Sequence, residues 1–333
     1  METIIIPKIK TEILYKAAAN DVDITKYIES VRYKDYEKDQ SDELEIQINN
    51  KDGLFLQELY PRKGAKISAR IGYTGETLLK CGTFTVDEIS FEDSDSGEYL
   101  TLRALAASVN APLRQKNTRY FVDKTLIQIA KWIGSLHGYT VGGNEGFIKL
   151  PRVDQYKESD LAFLRRIAEE HGYIFKLTDT VITFVKAQSL ENSKPLTTLK
   201  KSDISRLNLT DTTAKTYNAC SVKYYSPKKG KYISVTVKGD KDDVKRETMK
   251  LDVKCQTKEQ AVARAKAALK KGQSTLKGDI SLKRGNRFCI AGANFNLTEY
   301  GALNGKYHIK SSEHFVTKDN YETSCEVECI SSI

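Results

Sequence analysis

Two adjacent carboxylates, Glu169 and Glu170, and a third at Glu145 are candidates for acid–base chemistry only in the sense that any glutamate is. A glycoside hydrolase needs two carboxyl groups that converge across the bond to be cleaved, one of them commonly in an apolar pocket. Glu169 and Glu170 fall instead on the polar face of a segment with helical periodicity, and His171 ends it, where the helix dipole favours an imidazole. The nucleophile-elbow, zincin, Walker and dinucleotide motifs do not occur. We expect no catalytic residues and no enzyme, and keep a cell-wall hydrolase component as the less favoured alternative.

Six cysteines are the other chemically versatile residues, at positions 81, 220, 255, 289, 325 and 329. Cys325 and Cys329 share one face of a predicted strand with Val327, while polar residues take the other face, so we predict buried, reduced thiols. A structural zinc site needs four converging nitrogen or sulfur ligands, and neither a CxxC pair nor a spaced histidine pair is present. We therefore expect no metal and no cofactor.

The chain contains no apolar run near the roughly 20 residues that a membrane-spanning helix needs. An apolar triplet at Ile4 to Ile6 is followed by Pro7 without a cleavage pattern. We expect no signal peptide and no membrane span, and synthesis in the cytoplasm.

Charge is distributed unevenly along the 333 residues, whose net charge is +9. Residues 1–110 carry −6, residues 111–200 carry +5 and residues 201–333 carry +10. An acidic part and a basic part in one chain favour head-to-tail contact between subunits, and a basic part also suits nucleic acid.

A pattern of glycines and alternating apolar residues occurs twice and predicts the elements that position any site. The matched residues are Gly64 with Gly285, Gly82 with Gly305, Phe84 with Tyr307, and Val86 with Ile309. Apolar residues two apart lie on one face of a strand, and an initial glycine permits a tight entry into the strand. We interpret the copies as related β-barrel modules in which Gly82 superposes on Gly305, and in which a side chain at these glycines would clash.

Between the copies the apolar period changes from two to 3.6. Thr125 to Leu136 predicts one helix, and a second begins with a cap at Ser159 or Asp160 and ends at Gly172. A hairpin follows from Tyr173 to Val185.

The predicted fold class is mainly β with an α/β insertion (α+β). It comprises a first β-barrel module at 1–105 that opens with a strand at Ile4 to Ile9, a small α/β domain at 106–188, and a second β-barrel module at 189–333. The second module has one helix, 257–271, which Thr257 and Gln260 start with a capping box.

Five segments together resemble the late-control D protein family of phage tail hubs. They are GTFTVDEISFE from Gly82, Arg119-Tyr120 with the helix after it, QYKESDLAFLRRIAEEHGYIF from Gln155, KEQAVARAKAALKK from Lys258 and GKYHIKSSEHFV from Gly305. The third segment is the most distinctive, and its matching residues are Gln155, Ser159, Asp160, Leu161, Phe163, Leu164, Gly172 and Tyr173. The resemblance covers nearly the whole chain in the family's order.

That family is similar to the baseplate hub of myophages and to the N-terminal half of type VI secretion spike proteins. The resemblance implies a homotrimer in which each subunit supplies two tube-like barrels, so that three subunits present six. Such a ring joins a sixfold tail tube to a threefold central spike and contacts other baseplate proteins. It implies a location in the baseplate of a virion or of a headless, phage-tail-like particle, and DNA that passes through the lumen without specific binding.

A basic nucleic-acid-binding regulator is the alternative from another class. The densest basic cluster is Lys228, Lys229 and Lys231, at a predicted hairpin tip. No recognition helix, zinc finger or aromatic RNA-binding pattern accompanies it. The residues therefore favour the hub over the regulator.

Overall fold

A computed structural model describes residues 9–16, 21–38, 40–106, 115–143, 149–178, 180–212, 217–226, 230–239, 247–253, 255–271 and 276–332. The predicted opening strand, Ile4 to Ile9, lies outside these residues except for Ile9 itself. Lys228 and Lys229 of the basic cluster, and Glu145, also lie outside them.

The first strand set alternates apolar and polar side chains, and its apolar face builds one core. Its members are β1 (Ile9–Lys16), β2 (Asp21–Asp23), β3 (Ile28–Tyr36), β4 (Glu43–Asn49), β5 (Lys66–Tyr73), β6 (Leu79–Ser94) and β7 (Gly97–Leu105), with 3-10 helices at Thr25–Tyr27 and Leu54–Leu56. The strands are antiparallel in the order β3-β4-β7-β6-β5-β1-β2. The 3.6-period segments that follow build a different unit.

The α/β unit contains the predicted helices and hairpin. Its elements are β8 (Lys116–Thr125), α1 (Leu126–Leu136), β9 (Thr140–Gly143), β10 (Lys149–Ser159), α2 (Asp160–Glu170), β11 (Tyr173–Leu177), β12 (Val181–Lys186) and α3 (Ala187–Asn192). β8 pairs with β10, while β11, β12 and β9 form a second small sheet. Thr125 starts α1 with a capping box, and the Ser159 hydroxyl accepts a hydrogen bond from the Ala162 amide at 3.2 Å to start α2. Both helices pack their apolar faces into one core.

The second strand set follows, interrupted by a separate unit. The set comprises β13 (Thr197–Leu199), a 3-10 helix (Lys201–Asp203), β14 (Ile204–Asp211), β18 (Leu276–Leu282), β19 (Asn294–Leu297), a 3-10 helix (Gly301–Leu303), β20 (Gly305–Thr317) and β21 (Tyr321–Ser332). The inserted unit lies between β14 and β18 and contains β15 (Ala219–Ser226), β16 (Lys231–Lys238), β17 (Thr248–Asp252) and α4 (Lys258–Lys271). β15 to β17 form their own sheet, and α4 covers it over a core of its own. The predicted helix is therefore present, but its sheet is distinct from the one that contains β18 to β21.

The two strand sets share one hydrogen-bonded sheet of 13 strands, because residues Ser311–Thr317 of β20 pair antiparallel with Ser30–Tyr36 of β3. We predicted two tube-like barrels, and no closed barrel is found among the described strands. A barrel closes only when its first and last strands pair with each other. Here β3 pairs with β20, and β14 remains at one end of the sheet.

Both strand sets have the same order in the chain and in the sheet. The first runs β3-β4-β7-β6-β5-β1, and the second runs β14-β18-β21-β20 and then β19 and β13. Their β-bulges also correspond: β3 shifts register between Ile28 and Ser30, and β14 between Ile204 and Arg206. A second pair of bulges follows Val86 in β6 and Ile309 in β20. One difference is that β1 is antiparallel to β5 whereas β13 is parallel to β19.

Candidate assembly interface

The apolar repeat positions lie on corresponding strands and face the two cores. Phe84 in β6 and Tyr307 in β20 are fully buried, and each lies opposite an apolar residue of the next strand. Val86 and Ile309 are also buried, immediately before the two corresponding bulges. These side chains fill the cores on which the β20–β3 junction is built.

The backbone conformation at position 82 requires a glycine. Its φ is +109°, which side chains rarely adopt, whereas a Cβ there would meet only the Phe84 ring at 3.9 Å. The clash that we predicted at this glycine is therefore wrong, because the space beside it is open. Gly305, the predicted counterpart, is a buried residue that starts β20.

Gly64 corresponds in its hydrogen bonding to Gly292. The Gly64 amide donates to the Val86 carbonyl and the Gly292 amide to the Ile309 carbonyl, both at 2.8 Å, and their φ angles are +86° and +81°. The predicted partner, Gly285, has another role, since a Cβ there would lie 2.2 Å from the Tyr321 ring. The sequence match of Gly64 with Gly285 therefore needs correction to Gly292, seven residues further along.

Charged side chains hold the outer face of the junction between β20 and β3. Glu313 of β20 forms ion pairs with Arg32 and, at 3.8 Å, with Lys34 of β3. These three side chains are about one-third exposed, with exposed fractions of 33–36%. Such half-exposed pairs set register more than they add stability.

A buried carboxylate, Glu37, lies at the end of the same junction. His308 Nε2 is 2.5 Å and Lys310 Nζ is 3.3 Å from its two carboxylate oxygens. Burial opposes ionisation of Glu37, but the hydrogen bonds and charges of His308 and Lys310 outweigh it and lower its pKa. Both donors lie on β20, so this cluster ties β20 to the end of β3.

Lys176 of β11 connects the α/β unit to the junction between β20 and β3. Its ammonium lies 2.7 Å from Asp35 and 2.9 Å from Asp42, both buried beside the junction. Burial, together with the charge of Asp35, raises the pKa of Asp42 to about 6, although Lys176 opposes this effect. Asp35 also accepts a hydrogen bond from the Ala291 amide at 3.0 Å. One group of three charges therefore connects the first strand set, the α/β unit and the loop before β19.

Sequence reasoning missed the buried polar residues of this junction. Asp35 lies on the buried face of β3, two residues after the buried Tyr33. His314 likewise lies on the buried face of β20. A polar residue at an inward position of an alternating strand was the available signal, since such a residue must have buried partners.

The most distinctive family segment forms a buried polar cluster centred on Asp160. Its carboxylate accepts hydrogen bonds from Gln155 Nε2 at 2.8 Å, His137 Nε2 at 2.8 Å and Asn117 Nδ2 at 3.2 Å, and pairs with Arg119. Burial opposes its ionisation, but these hydrogen bonds outweigh it and lower the pKa of Asp160. The cluster holds the first turn of α2 against the two-stranded sheet of β8 and β10 and against the end of α1.

The apolar members of that segment pack beneath the clamp. Phe163 and Leu164 are fully buried, Leu161 is half-buried, and Tyr173 is buried at the start of β11. Gly172 ends the helix with φ +73°, and a Cβ there would reach 3.4 Å from Ala267 of α4. The segment therefore builds the α/β unit and its contact with the inserted unit.

The hydrolase candidates have structural partners. Glu170 forms ion pairs with Arg166, at 3.2 Å, and with Arg264 of α4. His171 is buried, its Nδ1 lies 2.9 Å from the Ile167 carbonyl oxygen, and burial lowers its pKa. Arg166 also pairs with Glu158 of β10 at 2.5 Å, so these contacts join α2 to β10 and to α4.

All six cysteines are free thiols, but they differ in exposure. Cys325 is buried, and a hydrogen bond with Cys289 together with burial raises its pKa. Cys329 is only half-buried, which corrects the prediction that both thiols are enclosed. It lies near the end of β21, beyond the stretch that β18 covers, since the pairing of these two strands ends where Lys277 meets Glu328. Within the described ranges, no three His, Cys, Asp or Glu side chains are grouped to hold a metal ion, and no described helix is long and apolar enough to span a membrane.

The fold is that of phage tail proteins. A tail protein from Neisseria meningitidis MC58 matches over 96% of this chain and 96% of its own, with a TM-score of 0.70 and 13% identity. An Escherichia coli type VI secretion component, described as structurally similar to the T4 tail proteins gp27 and gp5, matches over 97% of this chain and 77% of its own, with a TM-score of 0.60 and 14% identity. At these identities the likeness shows the fold alone.

The sequence model of the phage tail baseplate hub (GPD) family matches residues 46–320. The chain therefore belongs to this family. It is 31% identical over 170 residues to the probable baseplate hub protein of Escherichia phage 186, a match that covers 49% of this chain and 42% of that protein. The match thus spans less than half of the relative's length. The resemblance found in the sequence is confirmed.

Proposed function

We propose that three copies of this chain form a ring with pseudo-sixfold symmetry that joins the sixfold tail tube to the threefold spike. The observation that carries this proposal is the correspondence of the two strand sets in chain order, sheet order and bulge positions. Two equivalent modules in each of three subunits supply six equivalent positions. The function of the chain is then geometric, with no catalytic step.

The β20–β3 junction supports this reading, because it is a complete contact between the two modules inside one chain. Its hydrogen bonds are those of an ordinary antiparallel ladder, and the Glu313 and Glu37 ion pairs flank it. A ring built from alternating first and second modules repeats such a junction at every boundary.

The other two units are proposed to lie outside the ring, where other baseplate proteins reach them. The β modules then comprise residues 1–105 and 189–333, with the unit of β15 to β17 and α4 inserted into the second, and the α/β domain comprises 106–188. Arg264 of α4 pairs with Glu170 of α2, which supports a common position for the two units.

Sedimentation velocity tests the proposal, with the chain alone, with the spike protein of the same particle, and with spike alone as the control. We expect a species with three hub chains whenever spike is present. Ring closure orders three subunits at once, so the chain alone is expected to stay monomeric at low concentration. A stable twofold dimer that persists with spike contradicts the proposal, because a twofold particle cannot join a threefold spike to a sixfold tube.

A further inference from the structure

We propose that the far half of β6, Ile89–Ser94, pairs antiparallel with residues Arg206–Asp211 of β14 in a second copy of this chain. This inference rests on the proposed trimeric ring and adds the edges and the register at which its subunits meet. It is read from the junction that the chain already forms within itself.

The internal junction provides the template. Its paired residues are Ser312 with Asp35, Glu313 with Lys34, His314 with Tyr33, Phe315 with Arg32, Val316 with Val31 and Thr317 with Ser30. The strand β20 uses its first half for β19 and its second half for β3, while β21 lies along its other edge.

The bulges assign each template residue a counterpart in the other strand set. Val86 and Glu88 flank the β6 bulge as Ile309 and Ser311 flank the β20 bulge, so β20 numbers exceed β6 numbers by 223. Ile28 and Ser30 correspond in the same way to Ile204 and Arg206, so β14 numbers exceed β3 numbers by 176. The transferred pairs are Ile89 with Asp211, Ser90 with Thr210, Phe91 with Leu209, Glu92 with Asn208, Asp93 with Leu207 and Ser94 with Arg206.

Both proposed edges are open in the described part of the chain. β6 pairs with β5 through residues 79–85, and Val86 still exchanges hydrogen bonds with Gly64 and Ala65; beyond Val86 the ladder has β7 alone as a partner. β14 ends the sheet and pairs with β18 alone. An open edge of this kind is a template for pairing with another chain.

Apolar side chains along these two edges are more exposed than their counterparts in the internal junction, as expected if each edge lacks a partner strand. Phe91 is 43% exposed, whereas its counterpart His314, which has its partner strand, is fully buried. Leu207 and Leu209 are half-buried, whereas their counterparts Val31 and Tyr33 are buried. In the transferred register Phe91 lies opposite Leu209 on one face, and each covers the apolar surface of the other.

The transferred register also brings opposite charges together, two residues away from the charged positions of the template. In the template, Glu313 lies directly opposite Lys34 and forms an ion pair with Arg32, which precedes Lys34 by two residues and occupies the diagonal position. Glu92 lies opposite Asn208, and the same diagonal places Arg206 beside it. The transferred register therefore predicts a Glu92–Arg206 ion pair between subunits, which joins the acidic β6 segment to the basic C-terminal part of the chain.

Disulfide trapping in the full chain, assembled with its spike, tests the register. Ser90→Cys with Thr210→Cys places two exposed, directly opposed residues in neighbouring subunits, and oxidation is expected to give a covalent trimer on a non-reducing gel. Ser94→Cys with Thr210→Cys is the matched control, displaced by four residues or roughly 13 Å along the strand. Because disulfides need Cα atoms within about 7 Å, we expect the first pair to give at least about tenfold more cross-linked trimer than the control.

Lys34→Cys with Glu313→Cys is the positive control, since this opposed pair of the internal junction should close within one chain. A charge swap gives a second readout: Glu92→Arg or Arg206→Glu alone should lower the trimer fraction, and the two together should restore it. Trimers that cross-link equally through the control pair, or through neither pair, overturn the register while the ring stands. A chain that stays monomeric with spike present overturns the ring and this inference together.

Discussion

Replacing Asp160 by Asn is expected to destabilise the α/β unit, because it removes the negative charge from the centre of the buried cluster. The Asp160 side chain is 1% exposed and its partner Arg119 is 21% exposed. Breaking a buried ion pair costs about 3–5 kcal/mol because one charge is left uncompensated. Arg119 keeps partial access to water and its hydrogen bond to Gln155 at 2.7 Å, so we expect the low end, about 3 kcal/mol.

Urea unfolding, monitored by tryptophan fluorescence, measures this loss of stability within the α/β unit. Trp132 is the only tryptophan of the chain, and its ring lies 4.7 Å from the Arg119 guanidinium. Asp154→Asn, in the strand β10 that precedes α2, is the matched control, since that side chain is 56% exposed and pairs with Arg152, which is 54% exposed. An exposed pair contributes at most about 1 kcal/mol.

The loss should also depend on pH. The pKa of Asp160 is lowered in the folded protein, so its stabilising effect is present above the unfolded value of about 3.9 and is lost as the pH falls through the folded value. The difference in the free energy of unfolding between wild type and Asp160→Asn should therefore be largest at pH 7 and should become smaller below about pH 4. Equal stability of Asp160→Asn and Asp154→Asn at pH 7, or a difference that stays constant to low pH, would refute the ionic account of the cluster.

Three further outcomes are expected. Cys329 should react with a thiol reagent in the native protein well before Cys325, which should react only on unfolding; equal rates would contradict their different burial. Burial raises the pKa of Asp42 to about 6, so ionisation of Asp42 lowers the stability of the folded protein as the pH rises from about 4 to 6. The urea midpoint of Asp42→Asn should therefore rise relative to that of wild type across this pH range, which is the opposite sign to the effect at Asp160. Gly285→Ala should lower the thermal midpoint by forcing a Cβ to within 2.2 Å of the Tyr321 ring, and an unchanged midpoint would mean that the ring moves aside without cost.

Local periodicity and capping residues predicted the α/β unit because their physical causes act within a few residues. The Thr125 and Ser159 caps and the stop at Gly172 have their effects inside a single helix. The distinctive segment from Gln155 was visible as a motif, yet its chemistry was not. Asp160 draws donors from Asn117, Arg119 and His137, and nothing in the spacing of these residues says which carboxylate they share.

Strand alternation likewise revealed the buried faces and the presence of two similar strand sets, since side chains alternate with period two whatever lies beyond the strand. It also identified Phe84 with Tyr307 and Val86 with Ile309. It misplaced the counterpart of Gly64, because the loops before β5 and β19 differ in length and only the hydrogen bonds to Val86 and Ile309 identify the equivalent glycine.

The sequence alone determined the elements, their apolar faces and the family, all of which depend on residues close together in the chain or on motifs in a set order. Tertiary structure alone decided which edges meet. The pairing of β20 with β3 joins residues some 280 positions apart, and hydrogen bonds between backbone groups are the same for every residue type, so composition carries no record of the partner. It also decided that the two strand sets form one sheet and leave the β6 and β14 edges open, because an edge strand has the same alternation as a paired one.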